Sequence, residues 1–315
     1  MKLFEHDDFE AAITATASAR GVEEPFVEKD YYITEVLRLV SEKYGDRVIF
    51  KGGTSLSKGW GLIERLSEDI DLLVVRDRFL PRLSRTKTDH ELEKMKDLVA
   101  AYPGLSWSSD KSETFGGARR DVFTFNQRFE TVGLPNTVQT EPGVAGGDHP
   151  TEDMDIGSVV ASYLREQGEE EIADDLNVFQ VTTLHFRRTF VEKLFVIHAL
   201  AERLKDEGIA FGRDARHYYD IHRLVGEDEV ITMLASNECQ QIKKSCEEIG
   251  LKFFKSQYRG PPELDFSKSD GLFPSAELRA QIEPDYEAQC ELLCYGDYPP
   301  FGEVLGRLED VRALL

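Results

Sequence analysis

Apolar residues recur every three to four positions over residues 1–20, where Phe9, Ile13 and Ala17 share a face. They do so again from about Pro25 to Tyr44, through Phe26, Ile33, Val36, Leu37 and Val40. This spacing predicts two helices, the second opened by Pro25 and stopped by Gly45. The period then changes. Val48-Ile49-Phe50 is a short apolar run that breaks at Gly52-Gly53, and a second run alternates Ile70, Leu72 and Val74 with Asp69 and Asp71. Both predict strands, with a helix starting after the glycines. A helical stripe returns over 89–102 (Leu92, Met95, Leu98, Val99), ended by Pro103 and Gly104. Residues 105–141 alternate polar with apolar or β-branched positions, which predicts three or four antiparallel strands. Gly116-Gly117 and the Gly133–Pro135 run supply their turns. From Thr182 onward the pattern is helical, over Phe186–Leu204, Arg213–Val225 and 228–249. After a looser stretch around Gly260-Pro261-Pro262, two helices close the chain, Asp285–Tyr295 and Phe301–Leu314.

The alternation in the second strand carries the chemistry. Side chains two apart on a strand face the same way, so Asp69 and Asp71 lie side by side. Two carboxylates without a cation between them repel, which marks the strand as a place for a metal. The Gly52-Gly53 turn feeding a helix start offers backbone N–H groups where a phosphate can rest. Magnesium and a phosphate seat together point to a nucleoside triphosphate. Glu141, at the end of the last strand, is a candidate third metal carboxylate and equally reads as an exposed strand end. On the helical side, Arg216, Tyr219, Asp220 and Arg223 share a face by their spacing. They read as a surface ion network or as a set orienting Lys193 or a phosphate. His198, His217 and His222 lack metal spacing and read as packing residues.

Composition narrows the picture. The chain has 315 residues, 41% of them hydrophobic, and a formal net charge of −21. That length suits two domains, and a soft boundary falls between about 145 and 180. No run approaches the roughly 18 apolar residues a bilayer span needs, and the acidic start lacks an apolar signal core. The expectation is a cytoplasmic protein without a membrane partner. Cys239, Cys246, Cys290 and Cys294 never form Cys-x-x-Cys and read as buried or idle thiols. The acidic balance excludes a general nucleic-acid coat. Any RNA contact needs a local basic track, for which Arg76–Lys87, Arg119-Arg120 and Arg187-Arg188 are the candidates.

The block Phe50-Lys-Gly-Gly-Thr-Ser-Leu-Ser-Lys58 with Arg65-Leu-Ser-Glu-Asp-Ile-Asp-Leu72 resembles the first motif of the AbiEii-type nucleotidyltransferase toxins, within the DNA polymerase β-like superfamily. The resemblance extends to Val27–Tyr32, Arg188–Leu194 and Arg216–Ile221. It implies an α+β fold, in which a nucleotidyltransferase core with a mixed sheet, flanking helices and N-terminal helices (1–165) precedes a helical domain completing the active site (166–315). It implies Asp69 and Asp71 as metal ligands, Lys193 as the second-motif lysine and Asp220 as the third-motif aspartate. Gly52, Gly53, Thr54, Ser55, Lys58, Arg65 and Ser67 become the nucleotide-binding set, and Mg²⁺ or Mn²⁺ the cofactor. The implied activity is a toxin that adds nucleotides from an NTP to the 3′ end of tRNA and stops translation. It implies a toxin–antitoxin or phage-defence setting with a cognate antitoxin. The chain departs from the family in His217-Tyr218-Tyr219 ahead of Asp220, and its fourth motif is not placed. Two alternatives stand beside this: the same chemistry on a protein hydroxyl, and a catalytically silent module that captures a partner.

Overall fold

The structure is a computed structural model that describes residues 1–67, 69–129, 134–255, 258–260 and 264–315. The Gly133 end of one expected turn, and Pro261-Pro262 in the looser stretch, lie outside the described residues. The chain divides into two compact units: unit 1 is Met1–Gly59, Ser67–Val144 and Thr151–Thr183, and unit 2 is Trp60–Leu66, Ala145–Pro150 and Leu184–Leu315. The expected division at 165/166 differs from this in two ways. The change of unit comes at Thr183/Leu184, and two short segments from the first half of the chain belong to the second unit.

Unit 1 is a mixed sheet flanked by helices. Its strands are β1 (Val48–Lys51), β2 (Asp69–Val74), β3 (Ser106–Trp107), β4 (Glu113–Phe115), β5 (Ala118–Thr124), β6 (Thr137–Gly143), β7 (Thr151–Ile156) and β8 (Phe179–Leu184). They lie in the order β3-β5-β6-β2-β1-β8-β7, with β4 paired to β5. The expected antiparallel pairings are found around β5, but β6 then runs parallel to β2. β7 and β8 were not apparent in the sequence pattern. Four of the six positions in Thr151-Glu-Asp-Met-Asp-Ile156 are acidic or hydroxylated and only Ile156 is buried, so no apolar alternation announces the strand.

The helices of this unit are α1 (Phe9–Arg20), α2 (Glu24–Tyr44), the single turn α3 (Gly52–Thr54), α4 (Arg85–Ala100) and α5 (Val159–Gln167). α2 touches α1, α4, α5, β1 and β6 and is buried along most of its length, from Val27 to Val40. Its charged positions are therefore paired inside. Glu28 accepts from the backbone N–H groups of Arg128 and Phe129, and Arg38 bonds Glu35 and the carbonyls of Asp175 and Asn177. Asp30 accepts from the Val159 N–H at 2.7 Å, which joins α2 to the start of α5.

Unit 2 is helical, with α6 (Phe186–Glu207), α7 (Arg216–Leu224), α8 (Asp228–Leu234), α9 (Asn237–Phe253), α10 (Ala276–Leu293) and α11 (Phe301–Val311). α7 packs on α6, α10 and α11. The helix expected from Asp285 begins nine residues earlier, at Ala276, and carries Pro284 inside it. Leu278, Ile282, Tyr286, Cys290 and Leu293 recur at helical spacing and are all buried. That packing outweighs the local cost of a proline, about 3 kcal/mol in an isolated helix. Residues 60–66 clip onto this unit, with Leu66 N–H bonded to Leu293 O and Tyr295 N–H to Glu64 O. Among the described residues no helix is long and apolar enough to cross a membrane.

Candidate active site

β2 turns Ile70 and Leu72 into the core and leaves Asp69 and Asp71 together on the opposite face. The parallel register of β6 sets Gln139 beside Asp69 and Glu141 beside Asp71. On the other side, β1 sets Lys51 opposite Asp71, and Gly52 follows directly. Gly52 has φ +76°, and a Cβ there would fall 1.8 Å from Asp71 Oδ2. Only glycine lets that carboxylate lie against the backbone. Gly52→Ala is accordingly expected to cost about 1–3 kcal/mol from the left-handed backbone alone. It also displaces Asp71, so a melting curve and a transfer assay should both register the change.

The three acids share one electrostatic neighbourhood. Burial first, and then the charges of Asp71 and Asp69, push the Glu141 carboxyl from 4.5 up to about 7. Gln139 Nε2 donates to Asp69 Oδ1 at 2.7 Å and to Glu141 Oε1 at 2.8 Å. Sequence reasoning missed Gln139, although its position two residues before Glu141 on one strand face was legible. Between the ordinary carboxyl value and about 7, the folded protein holds a Glu141 proton that the unfolded chain has lost. This contribution to stability is therefore lost as pH rises through that window. Without divalent cations, Glu141→Gln is expected to melt higher than wild type at pH 8, with the difference vanishing near pH 4. Melting temperatures across that range check it.

Among the described residues, no three His, Cys, Asp or Glu side chains are gathered closely enough to hold a metal ion by themselves. The donor set still fits magnesium or manganese. These ions are held through one or two carboxylates plus substrate phosphates, not by an all-protein cage. Asp69 and Asp71 supply hard oxygen donors, and Glu141, raised first by burial and then by the charges of those two acids, lies beside them.

The helix expected after the glycines is shorter than a regular helix. α3 is one turn and passes into a π-helical turn over Ser55–Gly59. Ser55 and Ser57 hydroxyls bond back to the Gly52 and Thr54 carbonyls, competing with a regular ladder. Thr54 Oγ1 donates to Asp69 O at 2.5 Å, tying the loop to β2. Lys58 Nζ lies 2.5 Å from Asp30 Oδ1 and also bonds Gly157 O. Thr54, Ser55 and Lys58 thus brace the loop, and the Gly52-Gly53 backbone is what it offers to a phosphate. Ser67 is buried two residues ahead of Asp69.

Unit 2 gathers Arg65, Lys193, Asp220 and His217. Asp220 is fully buried and accepts from Arg65 Nε and Nη2, both at 2.7 Å. Lys193 Nζ lies 2.7 Å from Asp220 Oδ2 and 3.1 Å from His217 Nδ1. Burial works against charge on Asp220, but the Arg65 and Lys193 cations outweigh it and hold the carboxyl well below its usual range. Burial, then the Lys193 charge, lowers His217 to about 4. The imidazole is therefore neutral near pH 7, and its Nδ1 accepts from the Lys193 ammonium, which has no lone pair to give. Arg65, expected among the nucleotide contacts, is 2% exposed, and its third nitrogen donates to Leu66 O. His217, read as a packing residue, belongs to this charged set.

The candidate basic tracks are largely engaged in ion pairs and carbonyl contacts. Arg82 pairs with Asp77, Arg119 with Asp121, Arg120 with Glu113, Arg187 with Glu229 and Glu238, and Arg188 with Glu192. Arg76 and Arg78 donate to the Leu83 and Asp46 carbonyls. Elsewhere in unit 1 a cleft of ≈ 510 Å³ is lined by Phe4, Tyr32, Phe125, Arg128 and Asn136. Arg128 and Asn136 there already donate to the Phe4 and Phe125 carbonyls.

A family model described as nucleotidyl transferase AbiEii toxin, type IV TA system, matches residues 36–307. Among solved structures, MenT4, a nucleotidyltransferase toxin from Mycobacterium tuberculosis H37Rv, is similar with a TM-score of 0.61 at 17% identity, covering 96% of this chain and 88% of that one. JHP933 from Helicobacter pylori aligns with a TM-score of 0.35 at 14% identity, over 82% of this chain and 91% of that one. No curated protein matches.

Proposed function

Because the chain belongs to the AbiEii nucleotidyl transferase toxin family of type IV toxin–antitoxin systems, we propose that it moves a nucleotide from an NTP onto RNA, with the 3′ end of tRNA as acceptor, and so blocks translation in the cytoplasm. The family makes it a nucleotidyltransferase toxin with an NTP substrate and an antitoxin partner. One observation carries the reading of the site: Asp69, Asp71 and Glu141 share one sheet face, against a glycine whose missing Cβ makes room for Asp71.

In this reading Asp69 and Asp71 hold Mg²⁺ or Mn²⁺, with Glu141 beside them as the third carboxylate. When bound, the cation lowers the pKa of the acceptor hydroxyl and offsets charge building on the α-phosphate. The Gly52-Gly53 backbone seats the triphosphate, while Thr54, Ser55 and Lys58 keep that loop in place. The acceptor hydroxyl gives up its proton to solvent and its oxygen bonds to the α-phosphorus as the bond to the β-phosphate oxygen breaks, releasing pyrophosphate. Lys193 and Asp220 are the second- and third-motif positions of the resemblance, and Asp220 orients Lys193. Arg65 holds Asp220 instead of touching phosphate.

A second reading keeps the chemistry and changes the acceptor to a protein hydroxyl. The paired arginines of the candidate RNA track favour it. However, the exposed pairs Arg82–Asp77 and Arg120–Glu113 are each worth about 0–1 kcal/mol, which a polyphosphate can displace. Purified protein is incubated with Mg²⁺ and each labelled NTP, with and without total tRNA. Label entering tRNA is the expected result. Label entering protein alone selects the second acceptor, and no transfer to any acceptor overturns both. In cells, wild type should arrest growth where Asp69→Ala does not.

A further inference from the structure

Gln139 lies opposite Asp69 and two residues before Glu141, on the face of β6 that carries that acid. Both contacts of its amide nitrogen are carboxylate oxygens, at 2.7 and 2.8 Å. An NH₂ group has two hydrogens, so each acid receives one. Carboxylate oxygens are acceptors when ionised, so the nitrogen and not the oxygen of the amide must face them. A neutral side chain thereby bridges two acids that repel each other once both are ionised. The fold builds this bridge from a register, since a shift of one residue in β6 would move Gln139 and Glu141 to the opposite face together.

We propose that Gln139 is a positioning residue: its amide holds one oxygen each of Asp69 and Glu141, so that the carboxylates keep a fixed direction toward a divalent cation. The inference rests on the reading of Asp69 and Asp71 as the cation-holding pair. Hydrogen-bonded supports of this kind fix ligand orientation before the metal arrives, and their removal weakens metal binding.

The test uses the full chain without nucleotide and Mn²⁺ alone as probe. Binding is followed by the metal-induced rise in melting temperature and by the loss of the free Mn²⁺ spin-resonance signal. Gln139→Leu is expected to raise the Mn²⁺ midpoint by about 10–100-fold. Its kcat should fall while KM for NTP stays near the wild-type value, and its metal-free melting temperature should change little. Gln139→Met, closer in length and also without a donor, should reproduce the shift. An unchanged Mn²⁺ midpoint in both variants overturns the inference. A lower midpoint also overturns it, because the amide would then be competing with the cation. Asp71→Asn run alongside separates the two claims. If wild type responds to Mn²⁺ and Asp71→Asn does not, the cation pair stands whatever Gln139 does. If wild type itself does not respond, the cation reading fails and takes this inference with it.

Discussion

Asp71→Asn is expected to lower kcat by about a thousandfold while leaving the fold intact. Asp71 is the central acid of the candidate site, between Lys51 on β1 and Glu141 on β6. Replacing it with an amide keeps its shape and removes one of two ionic donors to the cation. A ligand of that kind contributes several kcal/mol of charge stabilisation, and each ~1.4 kcal/mol is a factor of ten in rate. Stability should hold or rise, because one of the two charges that push Glu141 upward has gone. The Glu141 carboxyl should fall only part of the way toward its ordinary value, since burial, the larger cause, remains; a carbon-13 carboxyl titration reads this directly. A variant with near-normal transfer in Mg²⁺ would remove Asp71 from the mechanism. A variant that merely unfolds would make the acid structural.

The second large effect lies in unit 2. Asp220→Ala is expected to destabilise that unit by about 3–5 kcal/mol, the usual result of stripping one partner from a buried ion pair. Asp220 is fully buried and answers two cations, Arg65 and Lys193. Its removal leaves both without their carboxylate inside the protein. Arg65→Met and Lys193→Met added to Asp220→Ala should recover much of the loss, since the penalty comes from uncompensated charge. The same set predicts acid lability. Asp220 titrates well below its ordinary value and His217 at about 4, so both are lowered. The stability they contribute is complete above their ordinary values and disappears as pH falls through the lowered ones. Urea melts at pH 7 and 4.5 read the His217 part, and melts continued below the ordinary aspartate value read the Asp220 part. A loss under about 1 kcal/mol for Asp220→Ala would show that water reaches the cluster.

The acid pair and the glycine turn were legible early because they are local. A period of two forces Asp69 and Asp71 onto one face whatever surrounds them, and Gly52-Gly53 announces a special backbone. Lys193 and Asp220, the positions the resemblance singles out, were likewise visible in order along the chain, and the structure pairs them. β7 stayed hidden because its exposed acidic residues give no apolar alternation. α10 was mis-started because Pro284 is a strong local signal, and the buried face that overrides it is a property of packing.

The sequence by itself settled the acid pair, the glycine turn, the helical second half and the family resemblance, all of which follow from residue type and short-range spacing. The tertiary structure alone decided that β6 runs parallel to β2, which brings Glu141 and Gln139 to acids some seventy residues away. It alone decided that Arg65 turns to Asp220, 155 residues on. The reason is physical. Strand register and the pairing of buried charges depend on which surfaces meet across the chain, and no local period encodes that.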